Sequence, residues 1–106
     1  MSDHRDVALA GEIDLAAAES TSALLDEEVA RAIADGHGLR VDLREVTFVD
    51  SSGLACLARA SVALAAAGQA MQLVHVPPFT RRLLEVAGLQ PLADPPEAEL
   101  GGDASS

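Results

Sequence analysis

The chain has 106 residues, 49% of them hydrophobic, with two Phe, no Tyr and no Trp, which supports one domain around one aliphatic core and not two. Seven Arg, no Lys and 17 acids give a net charge of −10; such a chain repels phosphate backbones and acidic membrane surfaces, so nucleic acid is excluded as an expected partner. No apolar run approaches the roughly 20 residues that span a bilayer, and the polar start Met-Ser-Asp-His-Arg-Asp lacks a signal-peptide core, so a cytoplasmic protein without membrane insertion is expected.

Residues 1–5 are expected to fray. Residues 6–10 read as a short strand, with Val7 and Leu9 on one face, broken by Gly11-Glu12-Ile13-Asp14. Asp14 is a suitable N-cap for a helix over 15–35. Ala18, Leu25, Val29, Ala32 and Ile33 form its apolar stripe, and Glu27 and Arg31 stand at i,i+4. Gly36-His37-Gly38 ends the helix, with His37 in a solvated turn. Residues 39–43 alternate as a half-covered strand. Arg44-Glu45 reads as a turn, and 46–49 as a second short β segment.

Asp50-Ser51-Ser52-Gly53 then opens a helix over about 52–67. Asp50 or Ser51 can cap it, and a capping turn alone would account for these residue types. The first N–H groups of a helix lack intrahelical partners, so a hydroxyl placed there is also a candidate phosphate acceptor. Leu54, Leu57, Ser61, Leu64 and Ala65 form the main stripe, and Gly68 stops the helix. Cys56, the single cysteine, excludes an internal disulfide or a CxxC site and reads as a small buried hydrophobe. Residues 70–76 form a strand with Met71, Leu73 and His75 on one side. His75 reads as a partly buried structural histidine. Pro77-Pro78 starts a third helix with Phe79, Leu83, Val86 and Ala87 as its stripe and Gly88 as its stop. Residues 89–92 suggest a last short strand, residues 95–100 one or two helical turns, and 101–106 a flexible tail. The alternation of strands and helices predicts an α/β domain over 6–94 with a largely parallel sheet.

The chain has no GxxxxGK[ST] or GxGxxG loop and no GxSxG elbow. As bases for a Ser-His-Asp triad, His4 and His37 fall in segments expected to be mobile, and His75 has no evident acidic orienter. No His, Cys or carboxylate set stands at metal spacing. No catalytic residue, metal or cofactor is assigned, and the expected protein is not an enzyme.

Gly11-Glu12-Ile13-Asp14, Val41-Asp42-Leu43, Val46-Thr47-Phe48-Val49-Asp50-Ser51-Ser52-Gly53-Leu54 and Phe79-Thr80-Arg81-Arg82-Leu83-Leu84-Glu85-Val86-Ala87-Gly88-Leu89 together resemble STAS domains. The stand-alone bacterial anti-sigma factor antagonists are the nearest members. The resemblance implies a STAS-like α/β fold of about four or five mostly parallel strands, with about three or four helices mainly on one face. The first family strand is short or missing here, which leaves a sheet edge available for a homodimer. It implies a transcription regulator that binds a GHKL-type serine-kinase anti-sigma factor, is phosphorylated at Ser51, and is reset by a PP2C-type phosphatase. Asp14, Asp50, Ser52, Gly53 and Leu54 would then form the switch and partner surface around Ser51, with Ser52 as the alternative acceptor. The abbreviated ends are also similar to those of STAS subunits of lipid-transport ABC systems, which pack on an ATPase. Arg81 and Arg82 read as a solvated helix face, or as contacts to an acidic partner.

Overall fold

The computed structural model describes residues 4–93. In chain order these form β1 (His4–Ile13), α1 (Ala18–Asp35), β2 (Gly38–Val49), α2 (Ser51–Ala66), β3 (Met71–Val74), α3 (Pro78–Ala87) and a 3-10 turn over Gln90–Leu92. Among the described residues the sheet has three parallel strands in the order β1-β2-β3, fewer than the expected four or five. The proposed strand at 89–92 is instead the 3-10 turn, followed by a single parallel bridge from Ala93 to Leu73. No strand precedes β1 among the described residues. The helical turn and tail expected beyond residue 94 lie outside the described residues.

Parallel neighbours joined through a helix connect right-handedly. Two such steps in the same direction put α1 and α2 on one face of the sheet, where they pack against each other. That face is aliphatic: Leu9 and Ile13 of β1, Leu39, Val41 and Leu43 of β2 and Leu73 of β3 meet Leu25, Val29, Leu57 and Leu64 of the helices. The opposite face carries Asp6, Ala8, Ala10 and Glu12 of β1, all exposed.

β2 runs unbroken through Arg44-Glu45, where the sequence suggested a turn. The reason lies in its register with β1. Ala8 pairs with Asp42 but Ala10 with Glu45, and Gly11 pairs with Val46 but Glu12 with Phe48. In each interval β2 carries one residue more than β1, which is a β-bulge. Each bulge sets two consecutive side chains outward, Arg44-Glu45 and Thr47-Phe48, before the inward phase resumes at Val46 and Val49. Asp42 serves the first bulge by accepting the Arg44 N–H at 2.8 Å. That bond, with His75 nearby, holds the Asp42 carboxyl below the ordinary carboxylate range.

Other expectations shift with the packing. β1 is longer than 6–10 and includes His4 and Arg5; Arg5 is held by Glu28 of α1 at 2.5 Å. α1 begins at Ala18, not Leu15, and its N-cap is Ala17, not Asp14. Ile33 is 37% exposed, so it leaves the predicted stripe, while Leu25, Val29 and Ala32 are buried in it. The Glu27–Arg31 pair forms at 2.6 Å on the exposed face. His37 is half-buried, with its N–H on the Ala32 carbonyl. In α2, Cys56 and Ala60 are buried and Ala65 is exposed. β3 ends at Val74, and His75 takes a left-handed φ of 53° with its ring exposed against Arg44 and Asp42. It is a surface residue, not a buried one.

α3 is rotated from the predicted stripe. Thr80 and Leu84 are fully buried and Leu83 half-buried, whereas Phe79 and Val86 are 41% and 83% exposed. Thr80 and Leu84 are spaced i,i+4 and define a face as well as Phe79 and Val86 do, but Thr reads as polar in the sequence. Its Oγ1 has no hydrogen-bond partner among the described residues. Thr80→Val is therefore expected to raise stability by about 1 kcal/mol, since a buried hydroxyl without a partner costs about that much. Urea denaturation checks this, and a loss of stability would contradict it.

Candidate partner-docking site

Parallel strands present their C-terminal ends together, and here the ends of β1 and β2 are tied. The Asp50 N–H donates to the Ile13 carbonyl at 3.3 Å. Asp50 is extended (φ −117°, ψ −170°), so it leaves the strand and caps α2 without entering the helix. Its Oδ1 accepts the Ser52 and Gly53 N–H groups at 2.9 and 3.1 Å. Its Oδ2 accepts the Leu15 N–H at 3.1 Å. One carboxylate thus satisfies two free donors of a helix N-terminus and pins the loop after β1 to the same point.

Asp14 lies in that loop. Its Oδ1 accepts the Ala17 N–H at 3.0 Å, shaping the turn before α1. This is a loop-closing bond and not the helix cap expected from the sequence. Leu15, beside it, is 75% exposed.

Ser51 is the first residue of α2 and is exposed, whereas Ser52 is half-buried. Gly53 is buried, and its role is steric. A Cβ there would collide with the Ile13 carbonyl oxygen and stand 2.8 Å from Ile13 Cγ2. The absence of a side chain lets the helix start against the end of β1. Leu54 is half-buried and packs on the core, with its N–H on the Asp50 carbonyl at 3.0 Å. Asp50, Ser51 and Ser52 therefore stand at one end of the sheet, the loop carrying Asp14 is tied to that end through the Leu15 N–H, and Gly53 and Leu54 support them from within.

Around this point the structure adds residues that sequence patterning placed elsewhere. Phe48, Val49, Pro78, Phe79, Arg82 and Leu83 line a groove of about 540 Å³ between the end of β2 and the start of α3. The signal was present: both Phe residues of a chain without Tyr or Trp stand in this groove, 47% and 41% exposed. On the other flank of α2, Arg59 reaches Ser22 of α1. Cys56 is buried, with its thiol 3.6 Å from the Ala18 carbonyl. No cluster of His, Cys, Asp or Glu suited to a metal ion occurs among the described residues, and no helix among them is long and apolar enough to cross a membrane.

A family model described as "Mlab, STAS domain" matches residues 2–94. The chain is 32% identical over 92 residues to the anti-sigma-B factor antagonist of Listeria monocytogenes serovar 1/2a, covering 87% of this chain and 78% of that protein. Its fold is similar to that of the anti-sigma factor antagonist SpoIIAA in its unphosphorylated form, with 21% identity, a TM-score of 0.63, and coverage of 99% of this chain and 91% of that one. It is similar also to the Bacillus cell fate determinant SpoIIAA in the phosphorylated form, with 23% identity, a TM-score of 0.65, and coverage of 100% and 94%. A match along nearly all of the described chain, carried by the same α/β architecture, places this protein in the STAS domain family.

Proposed function

We propose that the chain is an anti-sigma factor antagonist that binds a serine-kinase anti-sigma factor, and that phosphorylation of Ser51 ends the binding. The observation that carries this reading is the exposed Ser51 hydroxyl at the first position of α2, beside the Asp50 cap. Its context is a chain 32% identical to a protein named as an anti-sigma-B factor antagonist. The kinase is of the GHKL type, and a PP2C-type phosphatase resets the switch. Asp14, Asp50 and Ser52 form the partner surface with Ser51, and Gly53 and Leu54 hold it in place.

The capping geometry explains how one phosphate acts. A phosphate adds about −1.5 to −2 charges. A free helix N-terminus would attract it, but the Ser52 and Gly53 N–H groups already bind Asp50. The phosphate is therefore directed outward, beside two carboxylates, into the surface a partner must cover. A partner that docks on a neutral hydroxyl then meets charge repulsion and a desolvation cost. A tenfold loss of affinity needs only about 1.4 kcal/mol, so the domain has no need to refold.

A second reading is a STAS subunit packed on the ATPase of a lipid-transport ABC system. It rests on β1 being the outer strand, with no strand before it among the described residues. The test mixes the protein with each serine-kinase anti-sigma factor of its host and ATP, and reads intact mass. One added phosphate is expected, lost in Ser51→Ala and kept in Ser52→Ala. The phosphorylated protein is expected to bind its partner at least tenfold more weakly. No phosphate from any kinase, with an ABC ATPase co-purifying, would select the second reading.

A further inference from the structure

We infer that the groove between β2 and α3 is a second anchor for the same anti-sigma factor, receiving an apolar side chain that is followed by a carboxylate. This rests on the reading of the chain as an antagonist of a kinase-type anti-sigma factor.

Three observations carry the inference. The first is composition. A core of Leu, Val, Ile and Ala with Cys56 and Met71 leaves both phenylalanines at the surface, and both line one groove. Aromatic rings bury more area than other side chains, and a half-exposed pair in one cleft marks an interaction site more strongly than scattered apolar residues do. The second β2 bulge creates this arrangement, because it sets Phe48 outward while Val49 stays in the core.

The second observation is position. Phe48 lies three residues before Ser51, so their Cα atoms are within about 11 Å of each other. A standard interface covers about 800 Å² on each partner, a patch of radius about 16 Å. A kinase domain that docks with Ser51 near the centre of such a patch covers the groove.

The third observation is charge. Arg82 lines the groove, is exposed, and has no ion pair among the described residues. A cation at the rim of an apolar cleft favours a partner segment that carries an acid beside its apolar anchor. A second copy of this chain is the poorer occupant, because two bodies of net charge −10 repel each other.

The test uses the wild-type chain and purified serine-kinase anti-sigma factors of the host, with ADP in place of ATP so that no phosphate can be transferred. Affinity is measured by calorimetry for the wild type, for the double variant Phe48→Ala with Phe79→Ala, for Arg82→Glu, and for Arg82→Lys. The two Phe changes together and Arg82→Glu are each expected to weaken binding at least tenfold, while Arg82→Lys retains most of the affinity. Urea midpoints confirm that each variant is folded; Arg82→Glu stands as the test if the Phe variant is not. Unchanged affinity in the folded variants would overturn the groove and leave the antagonist reading intact. No binding by the wild-type chain to any of these factors would remove the antagonist reading, and the groove assignment with it.

Discussion

Gly53→Ala is expected to destabilise the protein by about 3 kcal/mol, read as a fall of about 2 M in the urea midpoint at a slope of about 1.5 kcal/mol per M. Two effects compete. Gly53 lies within α2, where Ala is the better helix former by about 1 kcal/mol. Against that, the added methyl would meet the Ile13 carbonyl oxygen, with Ile13 Cγ2 at 2.8 Å and the Ile13 carbonyl carbon at 3.1 Å. Two of those three atoms are backbone, and no rotamer change moves them. Relief requires the start of α2 to retreat from β1. That retreat strains the bond between the Asp50 N–H and the Ile13 carbonyl and loosens the Asp50 cap. The steric term therefore wins. Ser52→Ala, one residue earlier and half-buried, is expected to cost no more than about 0.5 kcal/mol and serves as the control. If Gly53→Ala left the midpoint unchanged, α2 would not be seated on the end of β1 as described.

Asp50→Ala is expected to cost about 2 kcal/mol, the upper end of the range for a lost N-cap. The reason is the number of donors it strands. The Ser52, Gly53 and Leu15 N–H groups all lose their acceptor at once. Gly53 is buried and Ser52 half-buried, so their donors are poorly placed to recover a bond to water. Asp50→Asn separates the contributions. Its amide oxygen can still accept from Ser52 and Gly53, but its NH₂ group would then face the Leu15 N–H, a donor against a donor. About 1 kcal/mol is expected for Asn. Denaturation of both variants at neutral pH checks the order; equal losses for Ala and Asn would mean that the Leu15 bond carries most of the effect. The loop holding Asp14 is also expected to loosen in both. Amide hydrogen exchange at Leu15 and Ala17 would report this.

Much of the site was legible because it is local. The change from β-type residues through Asp50-Ser51-Ser52-Gly53 to a helical pattern is a statement about a few adjacent residues. Cap chemistry depends on little else, and the Asp50 cap is present. The same reasoning failed one element earlier. Asp14 has the right residue type, but the chain makes a turn over Leu15–Ala17 before α1 starts, so its carboxylate closes a loop instead. In β2, a break in alternation at Arg44-Glu45 has two local explanations, a turn or a bulge. Only the presence of β1 alongside, pairing on both sides of the break, decides for the bulge.

The sequence by itself determined the alternation of strands and helices, the aliphatic core, the helix stops at Gly36, Gly68 and Gly88, and the serine at the head of α2. These follow from residue type and short-range spacing, which act wherever the chain lies. The tertiary structure alone decided which side of α3 faces inward, why residue 53 has no side chain, and where both phenylalanines stand. Each of these depends on contact between segments distant in the chain: Thr80 and Leu84 become buried by packing, Gly53 meets Ile13, and Phe48 meets the start of α3. Periodicity can show that a helix has an apolar side, but the neighbour it packs against selects which side is used.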